Sequence, residues 1–173
     1  ARTPLVLALD AGDTNDTFFA VAVSAHPDPA RKGDLAERWS RCWIPEGNGV
    51  PLDFNAIEEE LIGFVTSHRV LQLCFDKYQL RQMTQRLGRI VWCVEFSQGG
   101  DRLVADKSLL DAIQTGHIAH TGDPTLRAHI ANADRKVEGE NKLRIVKRTA
   151  ALKIDGAVCL SMAHARAINE FRL

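Results

Sequence analysis

The feature of this sequence that most constrains its fold is a change in the spacing of apolar residues near residue 50. Three segments before that point are apolar or alternate polar with large residues, as β-strands do: 4–9, 17–25 and 36–45. After it, Phe54, Ile57 and Leu61 recur at helical spacing, and helical segments then alternate with short apolar ones. Strands joined by short turns pair antiparallel, whereas strands separated by helices pair parallel. The chain is therefore predicted to form a mixed sheet flanked by helices.

The later part of the chain is predicted to contain two strands, five helices and a hairpin. The strands are expected at 70–75 and 89–96, the helices at 52–69, 79–88, 106–116, 123–133 and 153–171, and the hairpin at 135–148 around the polar turn EGEN. Asp53 is placed to cap the first helix, and Gly88 and Gly116 to end the second and third. This order of elements is that of the ribonuclease H-like α/β fold. We expect a five-stranded mixed sheet, three antiparallel strands followed by parallel ones, flanked by helices and extended by the extra hairpin.

Size and composition are those of a single compact domain. With 173 residues, 45% of them hydrophobic, the chain is long enough to bury one core, and residues 1–173 are expected to form one domain. No stretch approaches the roughly 20 apolar residues of a membrane helix, and the first apolar run is too short for a signal peptide. A first residue of Ala rather than Met indicates a processed product or a piece of a longer protein. The four scattered cysteines are expected to be buried, reduced thiols.

The charge distribution suggests one face that meets polyanions. Net charge is zero, which argues against a strong nucleic-acid binder acting alone. Residues 127–153, however, contain eight Lys or Arg side chains against three Asp or Glu side chains. The candidate DNA-binding residues in this segment are Arg135, Lys136, Lys147 and Arg148. A plainly solvated surface explains the charge equally well.

Three aspartates are expected to meet at one edge of the sheet. Asp10 ends the first apolar run and Asp76 ends the fourth strand, and these two strands are neighbours in the predicted strand order. Asp155 opens the last helix on its apolar, inward face, where an unpaired carboxylate would be costly. Three carboxylates with no His or Cys beside them favour Mg²⁺ or Mn²⁺ as the bound ion. Taken singly, each aspartate also fits an ordinary turn residue or helix cap.

Two further aspartates lie in the turn after the first strand. Asp16 is predicted to support the metal site, and Asp13 to be a solvated turn residue. Other chemistries find no support in the sequence. The chain has no G-x-x-x-x-G-K-[ST] phosphate loop and no G-x-S-x-G nucleophile motif, and its six histidines are scattered. Metal-dependent chemistry on oxygen ligands is therefore the prediction.

Four stretches resemble the C-terminal nuclease domain of the large terminase subunit of tailed bacteriophages, and the resemblance runs over nearly the whole chain. LALDAGDTNDTFFAVAV is similar to the family's first acidic motif, in which an Asp ends a strand and a second Asp follows six residues later. CFDKYQ resembles the second motif, with Lys77 where the family has Pro. HTGDPTLRAHIANA resembles a family segment leading to an Asn, here Asn132, and KIDGAVCLSMA is similar to the third acidic motif.

This resemblance implies a metal-dependent DNA endonuclease, a hydrolase whose catalytic and metal-binding residues are Asp10, Asp76 and Asp155 and which uses two Mg²⁺ or Mn²⁺ ions. The family cuts double-stranded viral DNA concatemers during genome packaging, with little sequence preference, in the cytoplasm of the infected bacterial host. The partners implied are an N-terminal ATPase domain of the same polypeptide, the small terminase subunit and the portal. Since the chain shows no phosphate loop, the resemblance implies an isolated nuclease half.

Two alternatives share this fold. A Holliday-junction-resolvase-like nuclease uses similar acids on branched DNA as an obligate dimer, and an inert ribonuclease H-like docking module would have no activity. LDAGDTND also resembles the first phosphate loop of the actin and sugar-kinase superfamily, but the chain is too short for the second domain that those proteins need. Metal-dependent nicking of DNA would separate the enzyme hypotheses from the inert one.

Overall fold

The fold is centred on one mixed β-sheet with helices on both faces. It is described from a computed structural model that covers residues 2–12, 16–76 and 80–173. The predicted turn role of Asp13 and the substitution at Lys77 lie outside these residues. No helix in the described ranges has the length and apolar character that crossing a bilayer requires.

The described residues form a six-stranded sheet and a separate two-stranded hairpin. The strands of the sheet are β1 (Pro4–Ala11), β2 (Phe18–Ala25), β3 (Leu35–Trp43), β4 (Arg69–Asp76), β5 (Cys93–Phe96) and β6 (Ile118–Ala119). Their spatial order is β5-β4-β1-β2-β3-β6. The first three strands pair antiparallel, and β4 pairs parallel with both β1 and β5. This confirms that the first and fourth strands are neighbours.

Five α-helices flank this sheet within the described residues. They are α1 (Phe54–Ser67), α2 (Arg81–Leu87), α3 (Gly100–Thr115), α4 (Pro124–Ala131) and α5 (Asp155–Phe171). Asp53 caps α1 as predicted, because its carboxylate accepts hydrogen bonds from the N–H groups of Asn55 and Ala56. Gly116 ends α3 in the left-handed conformation that glycine adopts without strain.

Alternation along β1 divides the core into two layers. Leu7 and Leu9 face one side of the sheet and pack with residues of α1 and α2. Val6 and Ala8 face the other side, where α3 and α5 cover the sheet. The first half of α5 is buried nearly all round, as its apolar sequence predicts. All four cysteines are free thiols, two buried and two half-buried.

The sheet has one strand beyond those predicted, and two elements begin more than two residues from their expected positions. The sheet has a sixth strand, the two-residue β6, which pairs parallel with the start of β3 and is too short to leave a sequence pattern. Strand β5 begins at Cys93 rather than Arg89, because the N–H groups of 89–91 donate to the end of α2. Helix α3 begins at Gly100 rather than Asp106. The sequence does not reveal this first part of the helix, because the polar residue Arg102 occupies a buried position where an apolar residue would mark the helical pattern.

The predicted hairpin consists of β7 (Ala133–Gly139) and β8 (Lys142–Lys147). Within the part of the chain that the structure describes, it pairs with no strand of the main sheet. Strand β7 is exposed over all but its first residue, whereas β8 buries Leu143. The hairpin therefore rests on the body of the protein through β8.

Candidate active site

Asp10 and Asp76 lie side by side at one edge of the sheet. Leu9 of β1 is in register with Phe75 of β4, so the next residue of each strand is an aspartate at the carboxyl end of a parallel pair. Both aspartates are half-buried. Strand order and register, rather than any local motif, bring these two residues together.

The carboxyl of Asp10 is at the centre of a group of like charges. Burial is the largest of the causes that raise its pKa from an ordinary 3.8 to about 7. The carboxylates of Asp155, Asp76 and Asp16 raise it further, and the guanidinium of Arg102 opposes them. The structure therefore places Asp16, Asp76 and Asp155 within electrostatic reach of Asp10.

Asp155 enters this group as the first residue of α5. The helix has no side-chain cap, so the carboxylate of Asp155 is not used as an N-cap. Its Oδ2 instead accepts a hydrogen bond from the Oγ1 of Thr17, which is 6% exposed. Thr17 lies directly before β2, so this bond ties the last helix to the start of the second strand.

Asp16, the predicted supporting ligand, is engaged by the chain itself. Its Oδ1 accepts from the Nζ of Lys153 and from the N–H of Thr17, the latter at 2.8 Å. Partial burial raises the pKa of Asp16, but the hydrogen bonds from Lys153 and Thr17 outweigh it and lower the pKa, with a smaller contribution from Lys147. Lys153 thus places a cation beside the acidic group, and sequence reasoning missed it.

The start of α5 is positioned by residues that carry no local signal in the sequence. The Nδ1 of buried His129 accepts the N–H of Gly156 at 2.9 Å, and the ring of Phe19 lies beside both. A Cβ at Gly156 would stand 2.9 Å from ring atoms of Phe19 and 3.2 Å from the Cβ of His129. Only glycine therefore lets α5 approach the sheet closely enough to present Asp155.

The donor set fits a hard divalent cation in chemistry and in charge. Carboxylate oxygens are the ligands that Mg²⁺ and Mn²⁺ prefer, and a bound cation would offset the repulsion that raises the pKa of Asp10. Among the described residues, no three His, Cys, Asp or Glu side chains are already arranged to hold one ion. Metal ligation by Asp10, Asp76 and Asp155 therefore stays a prediction.

The base of the hairpin lies beside the acidic group. The N–H of Arg148 donates to the carbonyl of Asn132 at 3.1 Å, and the Asn132 Nδ2 donates to the carbonyl of Lys153 at 3.0 Å. Of the predicted DNA-binding residues, Lys147 is near enough to affect Asp16, and Arg148 Nε donates to the carbonyl of Ala133. Lys136 forms a 3.1 Å ion pair with Glu138 farther along the exposed strand.

Several solved structures with the same fold are large terminases or their nuclease domains. The protein is similar to the HK97 bacteriophage large terminase, with a TM-score of 0.80 and 19% identity over 96% of this chain and 40% of that one. It is similar to the nuclease of thermophilic phage G20c solved with bound magnesium, with a TM-score of 0.70 and 10% identity over 95% and 82%. The nuclease domain of bacteriophage SPP1, solved with bound Mn, gives 0.57 and 14% over 97% and 86%. These likenesses establish the ribonuclease H-like fold of terminase nucleases.

The family assignment comes from the amino-acid sequence. Residues 31–170 match the family model described as the terminase large subunit, endonuclease domain. The chain therefore belongs to the family of terminase large subunit endonuclease domains. Asp76 and Asp155 lie within the matched residues, and Asp10 precedes them. A comparison with curated protein sequences gives no match. The chain spans 40% of the length of the HK97 protein.

Proposed function

We propose that the protein is a metal-dependent endonuclease that hydrolyses double-stranded viral DNA, with Asp10, Asp76 and Asp155 as metal ligands. The observation that carries the proposal is the electrostatic grouping around Asp10, whose pKa is raised to about 7 by burial and by its acidic neighbours. Membership in an endonuclease family supports it. Relatives solved with bound magnesium and with bound Mn support a divalent cofactor.

The chain's own residues then hold the ions and orient the ligands. Two divalent ions, when bound, supply an activated water as nucleophile and stabilise the leaving 3′ oxygen. Asp10 and Asp76 would hold them from adjacent strands, and Asp155 would hold them from the start of α5. Thr17 fixes the orientation of Asp155 through its hydroxyl. The products expected of this hydrolysis are 5′-phosphate and 3′-hydroxyl ends.

The proposed biological setting is genome packaging. The enzyme would cut viral DNA concatemers in the cytoplasm of the infected host, as one part of a polypeptide with an N-terminal ATPase domain, working with the small terminase subunit and the portal. Contacts from the hairpin would go to phosphates, which carry no base identity, so cleavage would show little sequence preference. Family membership favours this setting over a junction resolvase or an inert docking module.

Supercoiled plasmid incubated with Mg²⁺, with Mn²⁺ or with chelator tests the proposal. We expect nicked and linear plasmid with a divalent ion, and intact plasmid in chelator. A parallel arm with a four-way DNA junction separates the resolvase alternative, which would prefer the junction to linear duplex. Equal cleavage in chelator, or none with either ion at high enzyme concentration, would refute a metal-dependent nuclease.

A further inference from the structure

The hairpin has a narrow attachment to the rest of the protein. Strand β7 is exposed over nearly its whole length, so contact with the body is left to β8. Leu143 of β8 is 4% exposed, and Ile145 packs against the core layer of α3 and α5. Apolar contacts are non-directional, so two side chains on one strand do not by themselves fix the angle at which the hairpin leaves the body.

A fully buried carboxylate, Asp106 of α3, supplies the missing directional contact. Its Oδ2 accepts the backbone N–H of Ile145 at 2.9 Å. Its Oδ1 accepts the hydroxyl of Ser161 at 2.5 Å and the Nε of Arg102 at 2.7 Å. One side chain, 0% exposed, therefore joins α3, α5 and the hairpin, and its charge is paired and hydrogen-bonded as a buried carboxylate requires.

Arg102 extends this network toward a second point on the hairpin. Its guanidinium, in a residue only 4% exposed, donates to the Oε1 of Gln98 at 2.7 Å. The carbonyl of Gln98 in turn accepts from the side chain of Arg144 at 3.2 Å. Consecutive residues of β8, Arg144 and Ile145, are thus both tied to the buried Arg102–Asp106 pair.

The other end of β8 is tied to the acidic group. The N–H of Arg148 bonds to Asn132, which bonds to the carbonyl of Lys153, two residues before Asp155. The chain between Ile145 and Arg148 is therefore held at both ends. Lys147 lies within this stretch.

We propose that Asp106 is a positioning residue that fixes the basic hairpin beside the acidic group, so that Lys147 meets a backbone phosphate of the bound duplex. The assignment rests on the proposed nuclease function, since it takes DNA as the hairpin's ligand. Asp106 acts through the orientation of β8, because its carboxylate is fully buried. A purely structural ion pair, in contrast, would affect overall stability and leave the hairpin and its DNA contacts unchanged.

Two variants test the role of Asp106, and a second ion pair provides the control. Asp106→Asn removes the charge alone. The double variant Arg102→Met with Asp106→Leu removes both charges, so that no buried charge is left unpaired and the fold is retained. The control is Glu58→Leu with Arg86→Met, an ion pair between α1 and α2 whose Glu58 side chain is 5% exposed and which does not touch the hairpin.

Amide hydrogen exchange and DNA affinity in chelator are the readouts. We expect exchange at the Ile145 N–H to accelerate by about tenfold or more in both Asp106 variants, and by more than exchange in α5 does. The Kd for a short duplex should rise by roughly 5- to 10-fold. The control pair should leave both quantities unchanged. Unaltered Ile145 exchange and Kd in the double variant, or equal changes in the control, would overturn the proposal.

A double-mutant cycle separates positioning from general loosening. Lys147→Met alone should raise the Kd for duplex DNA. The same substitution should raise the Kd much less in a protein that already carries Asp106→Asn, although the two side chains are not in contact. Additive effects would refute positioning while leaving the nuclease assignment in place. If the unchanged chain bound no duplex while Ile145 exchange still responded to Asp106→Asn, the proposed DNA function would be wrong, and this assignment would fall with it.

Discussion

At the scale of single residues, two buried groups make the metal-free protein respond to pH in opposite directions. The pKa of Asp10 is raised to about 7, so the folded state holds an extra proton and loses stability as pH rises from about 4 to 7. Burial lowers the pKa of His164 from 6.5 to about 4, so the folded state lacks a proton and loses stability as pH falls through that range. Each shift corresponds to roughly 3–4 kcal/mol.

Single substitutions should reveal the two opposing dependences of stability on pH. In chelator, Asp10→Asn should lose stability as pH falls from about 6.5 to 4, because the raised pKa of Asp10 no longer opposes the contribution of His164. His164→Leu should lose stability as pH rises from about 4 to 7, and the unchanged protein should be flatter than either. Urea unfolding across this range measures the effect, with the surface substitution Asp111→Asn as control. A profile for Asp10→Asn that matched the unchanged protein would show that the pKa of Asp10 is not raised in the folded protein.

The glycine that opens α5 gives a second prediction at this scale. Gly156→Ala should lower the free energy of unfolding by about 1–3 kcal/mol, because the new Cβ would overlap Phe19 and His129. The rate of DNA cleavage should fall even under conditions in which the variant is fully folded, since Asp155 moves with the helix end. The matched control is Gly63→Ala in α1, which meets no atom within 4 Å and should stabilise the protein by about 0.5–1 kcal/mol. Equal effects of the two substitutions would contradict the packing argument.

At the scale of elements, the sequence predicted what periodicity and local turn chemistry determine. The strands β1 to β4 and helix α1 lie within a few residues of their expected positions, because alternation and helical spacing are strong there. The first half of α3 was missed, since its inward face carries Arg102 and Asp106 in place of apolar residues. From the sequence alone, the charged residues of a buried ion pair cannot be distinguished from those of a solvated surface.

In the candidate site, too, local sequence patterns predict some features and not others. Asp10, Asp76 and Asp155 were placed together because each ends or begins a recognisable element, and the strand order then brings those ends to one edge. Thr17 and His129 act on Asp155 and Gly156 across 138 and 27 residues of sequence, and no local pattern marks such contacts. Sequence reasoning can therefore place candidate metal ligands where the ends of their helices and strands can be predicted, but it does not find the residues that orient them.

The hairpin gives the prediction at this scale. The double charge reversal Lys147→Glu with Arg148→Glu should weaken binding to duplex DNA about tenfold or more at low salt and should flatten the dependence of Kd on salt, because fewer counterions are released. Lys32→Glu with Arg69→Glu makes the same change in charge at the opposite end of the sheet and should have little effect. Titration of labelled duplex over a range of salt concentrations measures this. Equal weakening by both pairs would show that net charge alone matters.

At the scale of the whole molecule, a neutral net charge limits the DNA affinity that is expected of the proposed nuclease. The hairpin is basic, but the chain as a whole has 22 acidic and 22 basic residues. Long-range attraction to DNA is therefore small, and the local field of the hairpin has to act within about 8–10 Å at ordinary salt. We expect this domain alone to bind duplex loosely, with the ATPase domain of a full-length terminase supplying part of the affinity.

Metal binding should stabilise the molecule as a whole, because ions that bind only the folded site shift the unfolding equilibrium. At an ion concentration of about 100 times Kd the gain is about 2.7 kcal/mol, or roughly 5–10 °C in melting temperature for a domain of this size. Asp76→Asn should reduce that shift and abolish plasmid cleavage, while the metal-free melting temperature stays equal or rises, since one repelling carboxylate is gone. Thermal melts with Mg²⁺, Mn²⁺ and chelator, run beside the cleavage assay, make the comparison, and Asp111→Asn should behave as the unchanged protein does. If Asp76→Asn still cut plasmid at nearly the original rate, the assignment of Asp10, Asp76 and Asp155 as metal ligands would be wrong.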